Sequence, residues 1–222
     1  MSAPAAWAPE DYSSPSHWPY LVDSATGSVF AARLPNGFLL NGASCVMEDR
    51  GLSSAPLYAV AFYSEPLNTA SRLLAVNKAF LSASQTDLLR DAYLYKALVF
   101  GGYPCSFLLV IARSLSPGEA AALFRRDLTA CGVPDPVAVP FLDALARTPL
   151  QPGYRVLFSM DGQAIVRVEV DQGRATAAPA AYSSLQFSSP ELARALRGMF
   201  FDSSSATDRK STRLNSSHTV IS

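Results

Sequence analysis

Between positions 164 and 170 the chain alternates with a period of two. Val166, Val168 and Val170 fall on one side, Arg167 and Glu169 on the other, which predicts a strand with one buried and one wet face. Together with a strand at 154–160 it flanks Asp161-Gly162, a two-residue hairpin turn. A second such turn, Asn36-Gly37, separates strands predicted at 28–34 and 38–42. Positions 57–64 and 106–112 are continuous apolar runs, rich in aromatic and β-branched residues, of the right length for buried strands. Helical spacing appears over 86–100, where Leu88, Leu89, Ala92, Tyr95, Leu98 and Val99 recur on one face and Gly101-Gly102 ends the run. Ser116-Pro117-Gly118-Glu119 is a capping box with proline at the first helical position, opening a helix to about Cys131. A shorter helix is expected at 141–147 and a last one, opened by Ser189-Pro190-Glu191, to about Phe201, and 66–84 reads as a loop with short helical pieces. Hairpins imply an antiparallel sheet, and the order of elements gathers the helices on one face of it, an α+β domain.

Composition narrows the function classes. With 222 residues and 49% of them apolar, the chain can bury one sizeable core. Its balanced charge argues against electrostatic nucleic-acid binding. The longest apolar runs fall far short of the ~20 residues that cross a bilayer. Without a signal peptide pattern, the expectation is a soluble intracellular protein, in the cytoplasm or an organelle lumen. Residues 1–27, rich in Ala, Ser and Pro, read as an irregular leader, 28–203 as the domain and 204–222 as a disordered tail. Positions 208–218 match one reading frame of a common sequencing-library adapter, so 208–222 is read as read-through. Of 18 basic and 18 acidic residues that tail takes three and one, leaving 15 and 17, a net charge of −2. It also takes His218, which leaves His17 as the domain's one histidine.

That count weighs against Ser-His-Asp and Cys-His devices, since His17 sits in the leader. G-x-S-x-G, G-x-G-x-x-G and the P-loop are absent. Cys45, Cys105 and Cys131 are too widely spaced for a zinc or redox pair. No cofactor or metal is expected.

Six stretches in order resemble the chalcone-isomerase-like family over residues 28–203: Leu40-Asn-Gly-Ala-Ser44, Leu57-Tyr-Ala-Val-Ala-Phe-Tyr-Ser-Glu65, the strand at 107–112, Leu115-Ser-Pro-Gly-Glu119, Leu150-Gln-Pro-Gly-Tyr-Arg-Val-Leu-Phe158, and Ser189-Pro-Glu-Leu-Ala-Arg-Ala-Leu196. The resemblance implies an open-faced sandwich, a large antiparallel sheet under a helical layer, with a ligand cleft between them. Some members close chalcones to flavanones by intramolecular conjugate addition, and others bind fatty acids. The isomerases' Arg and Thr positions read Val46 and Tyr58 here, and their helical Tyr and Asn positions read Ala120 and Asp127. Because stabilising developing charge is usually the largest catalytic term, these replacements imply a protein without isomerase activity. It would bind an elongated apolar or amphipathic ligand, a fatty acid or polyphenol. In fatty-acid-binding relatives a tyrosine at position 58 helps hold the carboxylate. The candidate ligand-binding residues are therefore Tyr58, with Arg50 or Arg113 supplying the missing cation. Two alternatives stay open: an intramolecular lyase with a rearranged site, and a structural or partner-binding relative whose own side chains fill the cleft.

Overall fold

Each strand of the main sheet lies beside its chain neighbours. In the computed structural model, which describes residues 20–49, 53–78, 92–147, 149–171 and 184–201, six strands pair in the order β3-β4-β5-β6-β7-β8, all antiparallel. They are β3 (Leu39–Asp49), β4 (Ser54–Ser64), β5 (Cys105–Ile111), β6 (Arg155–Met160), β7 (Ile165–Asp171) and β8 (Leu185–Ser188). A separate ribbon, β1 (Tyr20–Val22) paired with β2 (Val29–Ala31), precedes them. The described helices are α1 (Pro66–Val76), α2 (Ala92–Phe100), α3 (Pro117–Ala130), α4 (Asp135–Leu145) and α5 (Pro190–Phe201). This is the α+β architecture that the sequence predicts.

The continuous apolar runs arise because the central strands are buried on both faces. Tyr58, Val60 and Phe62 of β4, Phe107, Leu109 and Ile111 of β5, and Val156, Phe158 and Met160 of β6 join the helices in one core. Ala59, Ala61, Tyr63, Leu108 and Leu157 form a second core with Phe30 and Leu34. The ribbon is tied to this second face, since the Tyr63 hydroxyl donates to the Ala31 carbonyl at 3.0 Å. The end of the stretch read as a leader thus supplies a strand, β1.

Several expected boundaries move for identifiable reasons. The Asn36-Gly37 turn forms, with Gly37 at φ +90°, but it joins β2 to a strand that runs on to Asp49. Pro56 lies inside β4, opposite Met47 and next to Leu57, the extra residue of a register shift between the two strands, a position proline tolerates. Where a loop with short helical pieces is expected at 66–84, α1 forms one regular helix over Pro66–Val76, and 79–84 lie outside the described residues. Glu65 caps it by accepting from the Leu67 and Asn68 N–H groups while Pro66 takes the first position. Helix α4 begins at Asp135, six residues before the expectation. Pro140 is accommodated inside the helix. Strand β8 is absent from the sequence reading. The expected helical stretch before Ala92 lies outside the described residues. The Ser116–Glu119 capping box is present with both of its hydrogen bonds.

The Asp161-Gly162 turn forms, but in a longer loop than the two residues expected: Met160 pairs with Val166, and the Asp161 N–H donates to the Ile165 carbonyl across Gly162, Gln163 and Ala164. Gly162 adopts φ +87°, and a Cβ there would lie 2.9 Å from the Gly102 carbonyl oxygen. Only glycine meets both demands. The Asp161 carboxylate accepts from the N–H groups of Gln163, Ala164 and Ile165. Burial pushes this carboxyl up, but the three backbone donors outweigh it and hold the pKa below its ordinary value. A depressed carboxyl stabilises the fold above its unfolded pKa and loses that contribution as pH falls through the folded one. Asp161→Ala therefore lowers stability at neutral pH by about 1 kcal/mol. Urea titrations of both proteins from neutral pH into acid should show the difference shrinking as the wild-type carboxylate is protonated.

Candidate functional site

The two positions that the resemblance marks as chemically decisive are brought together. Val46 of β3 and Tyr58 of β4 are register partners, and Ile111 of β5 is the partner of Tyr58 on its other side. All three belong to the core beneath the helices, and Tyr58 is 2% exposed. Ala120 of α3 is fully buried, and Asp127, two turns along the same face, is 9% exposed.

Arg113, just after β5, is held by two carboxylates. Its Nη2 lies 2.6 Å from Glu48 Oε1 and its Nη1 3.3 Å from Glu119 Oε1. Nη1 also donates to the Ser114 carbonyl. The hydrogen bond to Glu48, then that to Glu119, raises the guanidinium's pKa above its ordinary value, while partial burial lowers it. Glu119 is the capping-box carboxylate as well, so Arg113 ties the sheet's β3 strand to the start of α3. Arg50 lies outside the described residues.

The space between sheet and helices is filled along its centre by aromatic rings. Phe62 and Phe107 of the sheet meet Phe200 and Phe201 of α5, with ring centroids 4.6–5.4 Å apart. Beside them, Phe124 of α3 and Phe141 of α4 meet Phe158 of β6, and Phe141 meets Phe187 of β8. Such pairs add about 0.5–1.5 kcal/mol each beyond their buried area.

A cavity of about 340 Å³ opens elsewhere, among α2, α5 and the turn that follows α3. Its buried floor is Val133, Ala195 and Gly198, and Tyr95, Val99 and Cys131 form its sides. Lys96, Phe100, Glu191 and Arg194, all exposed, stand at its mouth. Gly198 sets the depth: a Cβ there would come within 3.4 Å of Cys131 Sγ. Val46, Tyr58, Ala120 and Asp127 do not line this cavity. The size is at the lower end of the usual range for small-molecule pockets.

A buried cation adjoins it. Arg197, the residue before Gly198, is 5% exposed. Its Nη2 donates to the Tyr103 carbonyl at 3.1 Å, and the guanidinium carbon lies 5.3 Å from the centre of the Tyr103 ring. Its Nε is buried without a hydrogen-bond partner. The guanidinium also acts on the Cys105 thiol. Burial still dominates there and pushes the thiol's pKa up, against the lowering by Arg197. Tyr103 is raised by burial in the same way, and its hydroxyl donates to the Leu98 carbonyl. Cys105 and Ile111 end the same strand, six residues apart, so this cluster lies about 20 Å from the Tyr58 end of the sheet.

Sequence reading did not single out Arg197, although the signal was there. It is the one charged residue within the apolar run Leu196–Phe201, one turn after Ala193 and one turn before Phe200. Lys96 and Arg194 carried no signal, because each reads as an ordinary solvated charge on a helix. Burial pushes the Cys45 thiol up to about 11, with Asp23 adding to the shift, a thiol poorly suited to nucleophilic work. Among the described residues no cluster of three or more His, Cys, Asp or Glu could hold a metal ion, and no helix is long and apolar enough to cross a membrane.

No family model and no curated protein matches the chain. A solved structure does: the fatty-acid binding protein AtFAP1 of Arabidopsis thaliana, with a TM-score of 0.66 and 13% sequence identity, over 82% of this chain and 88% of that one. At that identity the likeness establishes a shared chalcone-isomerase-like fold.

Proposed function

We propose that this protein binds an elongated apolar ligand, such as a fatty acid, without performing isomerase chemistry. The fold it shares with a protein described as fatty-acid binding carries the reading. The apolar-floored cavity of about 340 Å³ supports it by providing room for a chain. The isomerases' arginine and threonine positions hold Val46 and Tyr58, side by side in the core. Arg113, the cation that a rearranged lyase site would need, is engaged by Glu48 and Glu119. A second reading, a partner-binding relative with no ligand, is favoured by the aromatic rings that occupy the space between the layers.

Native mass spectrometry of the purified protein separates the two readings. Binding predicts an acyl-chain adduct, or its appearance on adding dodecanoate at micromolar concentration. A bare mass throughout the titration would remove the ligand-binding reading. Loss of chalcone absorbance above the buffer rate would restore the lyase.

A further inference from the structure

We propose that the cavity among α2, α5 and the turn after α3 is the ligand site, and that it takes a single-chain amphiphile with an anionic head, held at the mouth by Lys96 and Arg194. This deepens the function proposed above and rests on it. It places the ligand apart from Tyr58, in the helical layer.

Three observations carry it. The cavity is graded: its floor and sides are predominantly apolar, and its charges stand at the exposed mouth. This matches a molecule that is apolar at one end and charged at the other. The mouth holds two cations against one carboxylate, and that carboxylate is already committed. Glu191 accepts from its own backbone N–H at the start of α5 and from the Ser189 hydroxyl, and these contacts, with a smaller contribution from the charge of Arg194, hold its pKa below the ordinary value. The two cations, by contrast, have no ion-pair partner within 4 Å among the described residues. Lys96 lies 5.9 Å from the centre of the Tyr93 ring and Arg194 5.4 Å from that of Phe100. A carboxylate at the mouth would give both a charge-assisted partner, and Arg194 can offer a two-pronged one.

Cys131 supplies the test, because it is an exposed thiol in the cavity wall, whereas Cys105 is buried. Alkylation of the intact protein by iodoacetamide is followed at each cysteine by peptide mass spectrometry, with dodecanoate or dodecanol added, and binding of each probe is measured separately by calorimetry. The expected result is that dodecanoate slows alkylation of Cys131 in proportion to occupancy and leaves Cys45 unaffected. In the Lys96→Ala/Arg194→Ala variant, dodecanoate should bind about tenfold more weakly while dodecanol binds as before. Both substitutions are at exposed positions, so the variant should fold. If dodecanoate binds and Cys131 reacts at its unprotected rate, the site is wrong and the proposed function stands. Should protection occur with equal affinity for acid and alcohol, or survive the double substitution unchanged, the cationic mouth is wrong. If neither probe binds, the site and the proposed function fall together.

Discussion

Phe107→Ala is expected to cost about 4 kcal/mol of folding stability, which would leave a domain of ordinary stability barely folded at room temperature. Phe107 is fully buried at the middle of β5. Its ring contacts Phe62 on the adjoining strand and both Phe200 and Phe201 of α5. Truncation removes the buried ring surface, opens a cavity in a layer already packed by stiff rings, and cuts three aromatic contacts at once. Phe107→Leu retains much of the volume and should cost roughly half as much. Urea denaturation monitored by circular dichroism gives both values. A loss below about 1.5 kcal/mol for the alanine variant would mean that the rings around Phe107 collapse to fill the space, and that the filled interlayer is softer than described.

Arg197→Ala should destabilise the fold by about 3 kcal/mol, and Arg197→Met by much less. Alanine leaves a cavity beside Tyr103 and removes the donor to the Tyr103 carbonyl. Methionine refills the space and removes a buried charge whose desolvation the structure offsets only in part, since one guanidinium nitrogen has no partner. The outcome separates packing from charge. If methionine is as damaging as alanine, the guanidinium itself stabilises the α5–β5 junction, through the Tyr103 carbonyl, the Tyr103 ring and the Cys105 thiol.

The sheet was legible in the sequence because its signals are local. Alternation at 164–170, glycines at positive φ in two turns, and apolar runs bounded by proline or glycine each specify an element without help from distant residues. The same holds for the capping box at Ser116–Glu119. What sequence reading missed depends on tertiary context. Helix α1 buries only Thr69 among its residues, so the core does little to fix it and its start rests on Glu65 and Pro66. Strand β8 is four residues long and is fixed by pairing with β7. Among the candidate residues, the pairing of Val46 with Tyr58 was not legible, because the strand expected to end at 42 runs on to Asp49. Nor was the engagement of Arg113 by Glu48, because the two are 65 positions apart and meet only after β3, β4 and β5 align. The cavity in the helical layer was also out of reach, since its floor depends on how α2 and α5 cross.

Because the sheet is a simple meander, none of its hydrogen-bond ladders depends on the path that a connecting helix takes. Helices α1 to α4 are detours between adjacent rungs, so an excursion can lengthen, shift or trade its side chains while the ladder keeps its register. Such a scaffold can change its chemistry at the strand surface and carry a pocket in the overlying helices without altering the order in which its strands pair.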